Sequence, residues 1–254
     1  MLTRRQALAA AGSAAWLAYA QKTMPRMGGS PTAFSVRARA GRESGKPFDI
    51  VEHCHSLGLG AVETGRPPST PEAIKAFRQK LDSYNMRVVF NVPLPRSADD
   101  VAAFDTGVQA AKDTGAIAIH AALTARRYEQ FDNFADFKKS FAQNQRSVEL
   151  AEPVLRKHQI RLAIENHKGW RAAEQAAWLK RVGSEYVGVC LDFGNNISLC
   201  ETPDQTFSLL SPLAVFCHIK DMGVERYADG FLLSEVPFGE GVLNLKQMVD
   251  TLRR

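Results

Sequence analysis

Three short apolar runs in the second half of the chain each stop at a side chain with metal affinity. Ile160 to Gly169 reads I-R-L-A-I-E-N-H-K-G and stops at Glu165. Val187 to Asn195 reads V-G-V-C-L-D-F-G-N and stops at Asp192. Ala214 to Asp221 reads A-V-F-C-H-I-K-D and stops at His218. Such runs predict buried parallel strands, and helical patterns lie between them. Parallel strands whose functional groups gather at one common edge describe the mouth of an α/β barrel, where active sites sit.

The rest of the chain continues the alternation. It predicts a strand over 34–39, a helix over 47–57, a strand over 61–64, a helix over 71–84 and a strand over 87–92. A helix follows from Ser97 to before Gly115, then a strand over 116–121 and a long helix over 134–157. Phe134, Phe137, Phe141, Val148, Ala151 and Leu155 recur on that long helix at core-facing spacing. Helices over 172–181 and 203–210 separate the last three strands. Residues 222–241 read as a hairpin turning at Ala228-Asp229-Gly230, and a last helix starts at Asn244 with Gln247 as capping partner. Repeated βα units imply a parallel sheet with right-handed crossovers. Seven of the eight units of a TIM-type (β/α) barrel are counted over 32–254, incomplete at the C-terminus. An eighth strand and helix, about 30 residues, would lie beyond Arg254. Unpaired edges at the first and seventh strands would favour aggregation or homo-oligomers.

With 254 residues, 45% hydrophobic and 23% charged, one globular domain is the expectation. The net charge of +5 includes no long like-charged run, so nucleic acid is not an expected partner. Residues 1–20 differ in kind. Arg4-Arg5, an apolar stretch from Ala7 to Leu17 and Ala18-Tyr19-Ala20 resemble a twin-arginine export signal with its cleavage site. The alternative is a tethering or poorly ordered helix. The apolar stretch is too short to span a bilayer, so a periplasmic protein with no stable membrane insertion is expected. Residues 21–31 read as a linker. Cys54, Cys190, Cys200 and Cys217 match no zinc spacing; Cys190 and Cys217, inside predicted strands, read as buried free thiols, and a disulfide stays open.

Glu, Asp and neutral His around one point suit a divalent ion such as Mn²⁺, Co²⁺ or Zn²⁺ with positions open for substrate. Their placement on three successive strand ends favours that reading over three separate structural roles.

The motifs A-I-E-N-H-K-G-W (163–170), V-C-L-D-F-G-N (189–195), H-I-K-D-M-G-V (218–224) and V-P-F-G-E-G (236–241), in this order, resemble the sugar phosphate isomerase/epimerase family. Its fold is the xylose-isomerase-like barrel. The resemblance implies one divalent metal (Mn, Co, Zn or Mg) held by Glu on strand 5, Asp on strand 6, His on strand 7 and a second Glu on strand 8. The first three correspond to Glu165, Asp192 and His218; the fourth has no counterpart. It also implies that the two glutamates exchange a proton at the carbon next to a polarised carbonyl, through an enediolate. Glu165 is the one of that pair present here.

Further candidates carry two readings each. His167 contacts substrate or solvent. Asn166 donates to substrate or caps the next helix. Lys220 binds an anionic or hydroxyl-rich substrate or forms a structural ion pair. His120 lines the pocket or is a satisfied core histidine. Trp170 walls the pocket or packs. Glu240 approaches the metal or serves a turn. His53-Cys54-His55 is discounted as a metal motif, because i and i+2 side chains on a helix face apart.

The leading expectation is an exported, metal-dependent isomerase or epimerase of a sugar or sugar derivative. Export argues against phosphorylated substrates. A lyase or dehydratase acting on a keto-sugar or keto-inositol is the second reading, and a non-catalytic carbohydrate-binding protein the third. DNA cleavage, found elsewhere in this fold, needs more histidines than the six present.

Overall fold

A computed structural model describes residues 27–123 and 126–253. The export signal over 1–20, and 21–26 of the linker, lie outside the described residues. The chain divides into two compact units, one running to Val92 together with Gln109–Ile117, the other Pro93–Val108 together with the chain from Ala118 on.

In the first unit, β1 (Gly28–Gly29) pairs in parallel with β2 (Ala61–Thr64), which follows α1 (Ser35–Glu43) and α2 (Ile50–Ser56). After α3 (Pro71–Ser83), β3 (Arg87–Asn91) pairs with β2 in parallel, Val62 beside Val88. The helices start where their caps dictate. Asp49 accepts from the Val51 and Glu52 N–H groups, and Thr70 Oγ1 accepts from Ala73 N ahead of Pro71; both satisfy donors that a first turn leaves open.

Two expectations are corrected here. The first strand is not at 34–39, most of which is α1, but at Gly28–Gly29, inside the stretch read as linker. The alternation V-R-A-R-A mimics a strand period, yet Ala and Arg favour helix, and no residue of α1 is buried to hold a strand face. The true strand carries no side-chain signal because it has no room for one. A Cβ on Gly29 would lie 2.5 Å from Phe34 Cε2 and 2.7 Å from Cys54 Sγ. His53 packs edge-on to Phe34 and Phe48, and His55 stacks on Tyr84 at 3.9 Å, so the His-Cys-His run is spread over separate packing roles.

Next along the chain come α4 (Val101–Asp113), β4 (Ala116–Ala121), α5 (Phe134–His158), β5 (Leu162–Glu165), α6 (Ala172–Val182), β6 (Val187–Asp192), α7 (Pro203–Leu210) and β7 (Ala214–His218). In the second unit β4, β5, β6 and β7 pair in parallel in that order. Ile119, Leu162, Ala163, Val189 and Leu191 are fully buried, as strands covered on both faces require. The stripe on α5 faces the core at Phe137, Val148, Ala151 and Leu155, but Phe134 is 62% exposed. It lies in the first turn, where Lys138 Nζ rests over its ring.

The hairpin is β8 (Asp221–Tyr227) against β9 (Gly230–Val236), antiparallel, with Tyr227 opposite Gly230. Last comes α8 (Leu245–Leu252), capped by Asn244 Oδ1, which accepts from Gln247 N. Asp221 ties hairpin and helix together. Its fully buried carboxylate accepts from the backbone N–H groups of Met222, Gly239, Gly241 and Leu243. Burial acts to raise this carboxyl, and the four N–H donors more than reverse it, leaving it below its ordinary value.

Candidate active site at the ends of β5, β6 and β7

Strand register builds the site in layers. His120 stands beside Ala163, then Glu165 beside Cys190, and Asp192 beside His218. Side chains alternate across a strand, so Glu165, Cys190 and Asp192 share one face. Glu165, Asp192 and His218 each offer one ligand atom, and the three atoms lie within 4.8 Å of one another.

Glu165 is held on both oxygens. Oε1 accepts from Asn195 Nδ2 at 3.0 Å and faces His218 Nδ1 at 3.5 Å; Oε2 faces His120 Nε2 at 3.3 Å. Burial works to raise its pKa, but the two histidines outweigh it and hold the carboxyl well below the usual range. Asp192 is 2% exposed. Its Oδ1 accepts from the Gly194 and Asn195 N–H groups at 2.9 and 2.8 Å, and Oδ2 meets Lys220 Nζ at 3.1 Å. Burial still pushes its carboxyl upward against these partners. Lys220 Nζ also donates to Asn195 Oδ1 at 2.8 Å and reaches Glu235 Oε1 on β9 at 3.4 Å.

Asn166 is fully buried. It bonds both backbone groups of Asp192 and donates to Asn196 Oδ1 at 3.0 Å; Asn196 in turn donates to the buried Glu201 at 2.6 Å. Asn166 therefore braces the end of β6 from behind rather than facing a substrate. Trp170 is 5% exposed and sandwiched, 4.0 Å from Phe141 and 4.4 Å from Trp178 between centroids. It is a packing residue. Glu240 is exposed in the loop closing on Asp221, its N–H bonded to Pro237 O, which is the turn role. His167 sits in a tight turn in which Gly169 N donates to His167 O at 2.5 Å and Lys168 adopts φ 47°. Its Nδ1 is buried with no hydrogen-bond partner among the described residues. Burial lowers its pKa, Glu165 opposing, so the ring is neutral.

Two participants escaped sequence reasoning. Asn195 bridges Glu165 and Lys220, but in sequence G-N-N after the aspartate reads as a turn. Arg127 pins the 167–169 turn, its N–H donating to Lys168 O at 3.2 Å and its Nε to Gly169 O at 3.0 Å, while it pairs with Glu174 and lies over Phe137. No local pattern marks it.

Two carboxylates and one imidazole gathered at 4.8 Å fit a divalent cation of intermediate hardness. The ammonium already resting on Asp192 shows that positive charge is stabilised at this point. Residues 51–254 match the xylose isomerase-like TIM barrel family. The chain belongs to that family. A 3-oxo-isoapionate decarboxylase from Pectobacterium atrosepticum is 28% identical over 103 residues, 40% of this chain and 38% of that protein, so the match spans well under half of either. The fold matches the crystal structure of the probable 3-DHS dehydratase from Bacillus anthracis with TM-score 0.64 and 15% identity, covering 89% of this chain and 88% of that one. It matches 3-keto-D-glucoside 4-epimerase from E. coli with TM-score 0.61 and 12% identity, covering 80% and 81%.

Proposed function

We propose that the chain is a divalent-metal-dependent isomerase or epimerase of a keto-sugar, with Glu165 as the proton-transferring base. The observation that carries this is the convergence of Glu165, Asp192 and His218 within 4.8 Å around an ionised Glu165. Glu165, Asp192 and His218 would hold an Mn²⁺, Co²⁺, Zn²⁺ or Mg²⁺ ion, which would supply Lewis acidity toward a substrate carbonyl oxygen. Glu165 then removes the proton from the carbon beside that carbonyl. The C–H electron pair moves into an enediolate; return of the proton from the same carboxyl to the neighbouring carbon, with a hydroxyl proton passing to the former carbonyl oxygen, gives the isomer, and the epimer takes its proton on the opposite face from solvent. Asn195 and His120 fix the carboxylate for that transfer. The neutral His167 ring and Lys220 are the groups we assign to substrate hydroxyls.

A lyase reading has its own support in the 103-residue likeness to a decarboxylase. Loss of water consumes the same enediolate by expelling a hydroxyl from the next carbon, with no proton returned; loss of carbon dioxide reaches the enediolate by C–C cleavage and then protonates the carbon that lost it. Incubating the chain with Mn²⁺ and a keto-sugar in D₂O separates the two. Deuterium gained with the carbon and oxygen count unchanged supports the isomerase; loss of CO₂ or water supports the lyase; neither, across ketoses and 3-keto-glycosides, refutes both.

The arginine pair, apolar run and A-x-A site of residues 1–20 support export, hence a non-phosphorylated substrate. The mature protein should begin near Gln21 by mass spectrometry, and an intact Met1 on a cytoplasmic protein contradicts export. Among the described residues no helix is long and apolar enough to cross a membrane.

A further inference from the structure

A second set of donor atoms lies against the first. His120, Cys190 and His218 each offer one ligand atom, and these three atoms also lie within 4.8 Å of one another. Cys190 stands beside Glu165 in the register and two residues before Asp192 on the same face, one layer deeper in the sheet. It is fully buried, and His120 is 6% exposed. Ala163 stands beside His120 in the ladder, and the His120 and His218 rings meet edge to face at 5.1 Å.

We propose that His120, Cys190 and His218 form a thiophilic metal site, distinct in ligand chemistry from the carboxylate set and mutually exclusive with it through the shared His218. Carboxylates select hard and borderline ions, a thiolate selects soft ones, and imidazole serves either. The expected occupants are Zn²⁺, Cd²⁺ or Cu⁺. Zinc bonds of about 2.0–2.3 Å to nitrogen and sulfur put tetrahedral donors roughly 3.3–3.7 Å apart, a spacing that lies inside the 4.8 Å bound on this set. On binding, the Cys190 S–H bond breaks, the proton leaves to solvent, and a metal–sulfur bond replaces a metal–water bond. No oxidant or reductant takes part. Occupation withdraws His218 from Glu165 and Asp192, so a thiophilic ion switches the carboxylate site off from below. This inference stands on the donor geometry alone and does not depend on the substrate reading.

The test is a Cd²⁺ titration of the full chain followed by ultraviolet cadmium–thiolate absorption, in a Cys200→Ser background that removes the exposed thiol. The band should appear and saturate in the parent, vanish in Cys190→Ser and weaken in His120→Asn, with circular dichroism confirming the fold of each. Mn²⁺ binding followed by electron paramagnetic resonance should be unchanged in Cys190→Ser. A parent without the band overturns the proposal, as does a band that persists undiminished in Cys190→Ser, which would place the thiolate at Cys54 or Cys217, or in His120→Asn, which would remove His120 from the ligand set. If Cys190→Ser does not fold, His120→Asn decides. A cadmium band without any Mn²⁺ binding would uphold this site while refuting the carboxylate one.

Discussion

Asn166 grips the backbone of Asp192 on both of its polar groups: the Asp192 N–H donates to Asn166 Oδ1 at 2.7 Å, and Asn166 Nδ2 donates to the Asp192 carbonyl at 2.8 Å. The clamp sets where β6 ends and therefore where the Asp192 carboxylate points. Asn166→Ala leaves two buried backbone groups of Asp192 unpaired, each costing about 1–3 kcal/mol. The expected outcome is a clear fall in melting temperature together with weaker metal binding, read by denaturation and calorimetry. Unchanged metal affinity in a folded variant would show that the clamp does not position Asp192.

Lys220 supplies the positive charge that faces Asp192 Oδ2 at 3.1 Å. Lys220→Met removes one partner of a largely buried pair, and such losses cost about 3–5 kcal/mol. Added Mn²⁺ should therefore stabilise the variant more than the wild type, because the ion replaces the missing charge. Equal stabilisation of both proteins by Mn²⁺ would contradict this role.

Asp221 gives the pH dependence. Its carboxyl lies below its ordinary value, since four backbone N–H groups favour the charged form against burial. A depressed carboxylate contributes stability that is present above the unfolded value and is lost as pH falls through the folded one. The loop 237–243 and α8 should therefore loosen below about pH 4. Asp221→Asn turns one acceptor oxygen into a donor facing Gly239 or Gly241 and should lower stability at neutral pH by about 1–3 kcal/mol for each unpaired group, while flattening the acid response. Gly241→Ala should break the same clasp, because its Cβ would sit 2.1 Å from Asp221 Oδ1. Hydrogen exchange over 237–252 reads all three.

The sheet was largely legible in the sequence, and the site in part. The predicted strands at 61–64 and 116–121 match β2 and β4, and the ends at Glu165, Asp192 and His218 stand where the apolar runs stop. Those segments carry strong β-type runs bounded by turn residues. β1 was invisible because two glycines hold no pattern, and α1 was misread because alternating Arg and Ala copy a strand period. Of the groups that steady the site, His120 was a pocket candidate in the sequence, but Asn195 and Arg127 were not visible. Asn195 meets Lys220 and Glu165 across 25 and 30 residues of chain, and Arg127 meets Gly169 and Glu174 across 42 and 47, and only the fold brings them together. Cys190, read from sequence as a buried free thiol, lies near two imidazoles for the same reason.

Proton exchange tests the central claim most directly. The wild-type chain and Glu165→Gln are each loaded with Mn²⁺ and incubated in D₂O with D-fructose, D-tagatose and a 3-keto-D-glucoside, and the recovered sugar is analysed by mass and NMR. The account predicts deuterium at the carbon beside the carbonyl of at least one of these sugars, dependent on the metal and lost in Glu165→Gln. Exchange at the wild-type rate in Glu165→Gln, or no exchange and no lyase product from the wild type with any of them, would contradict it.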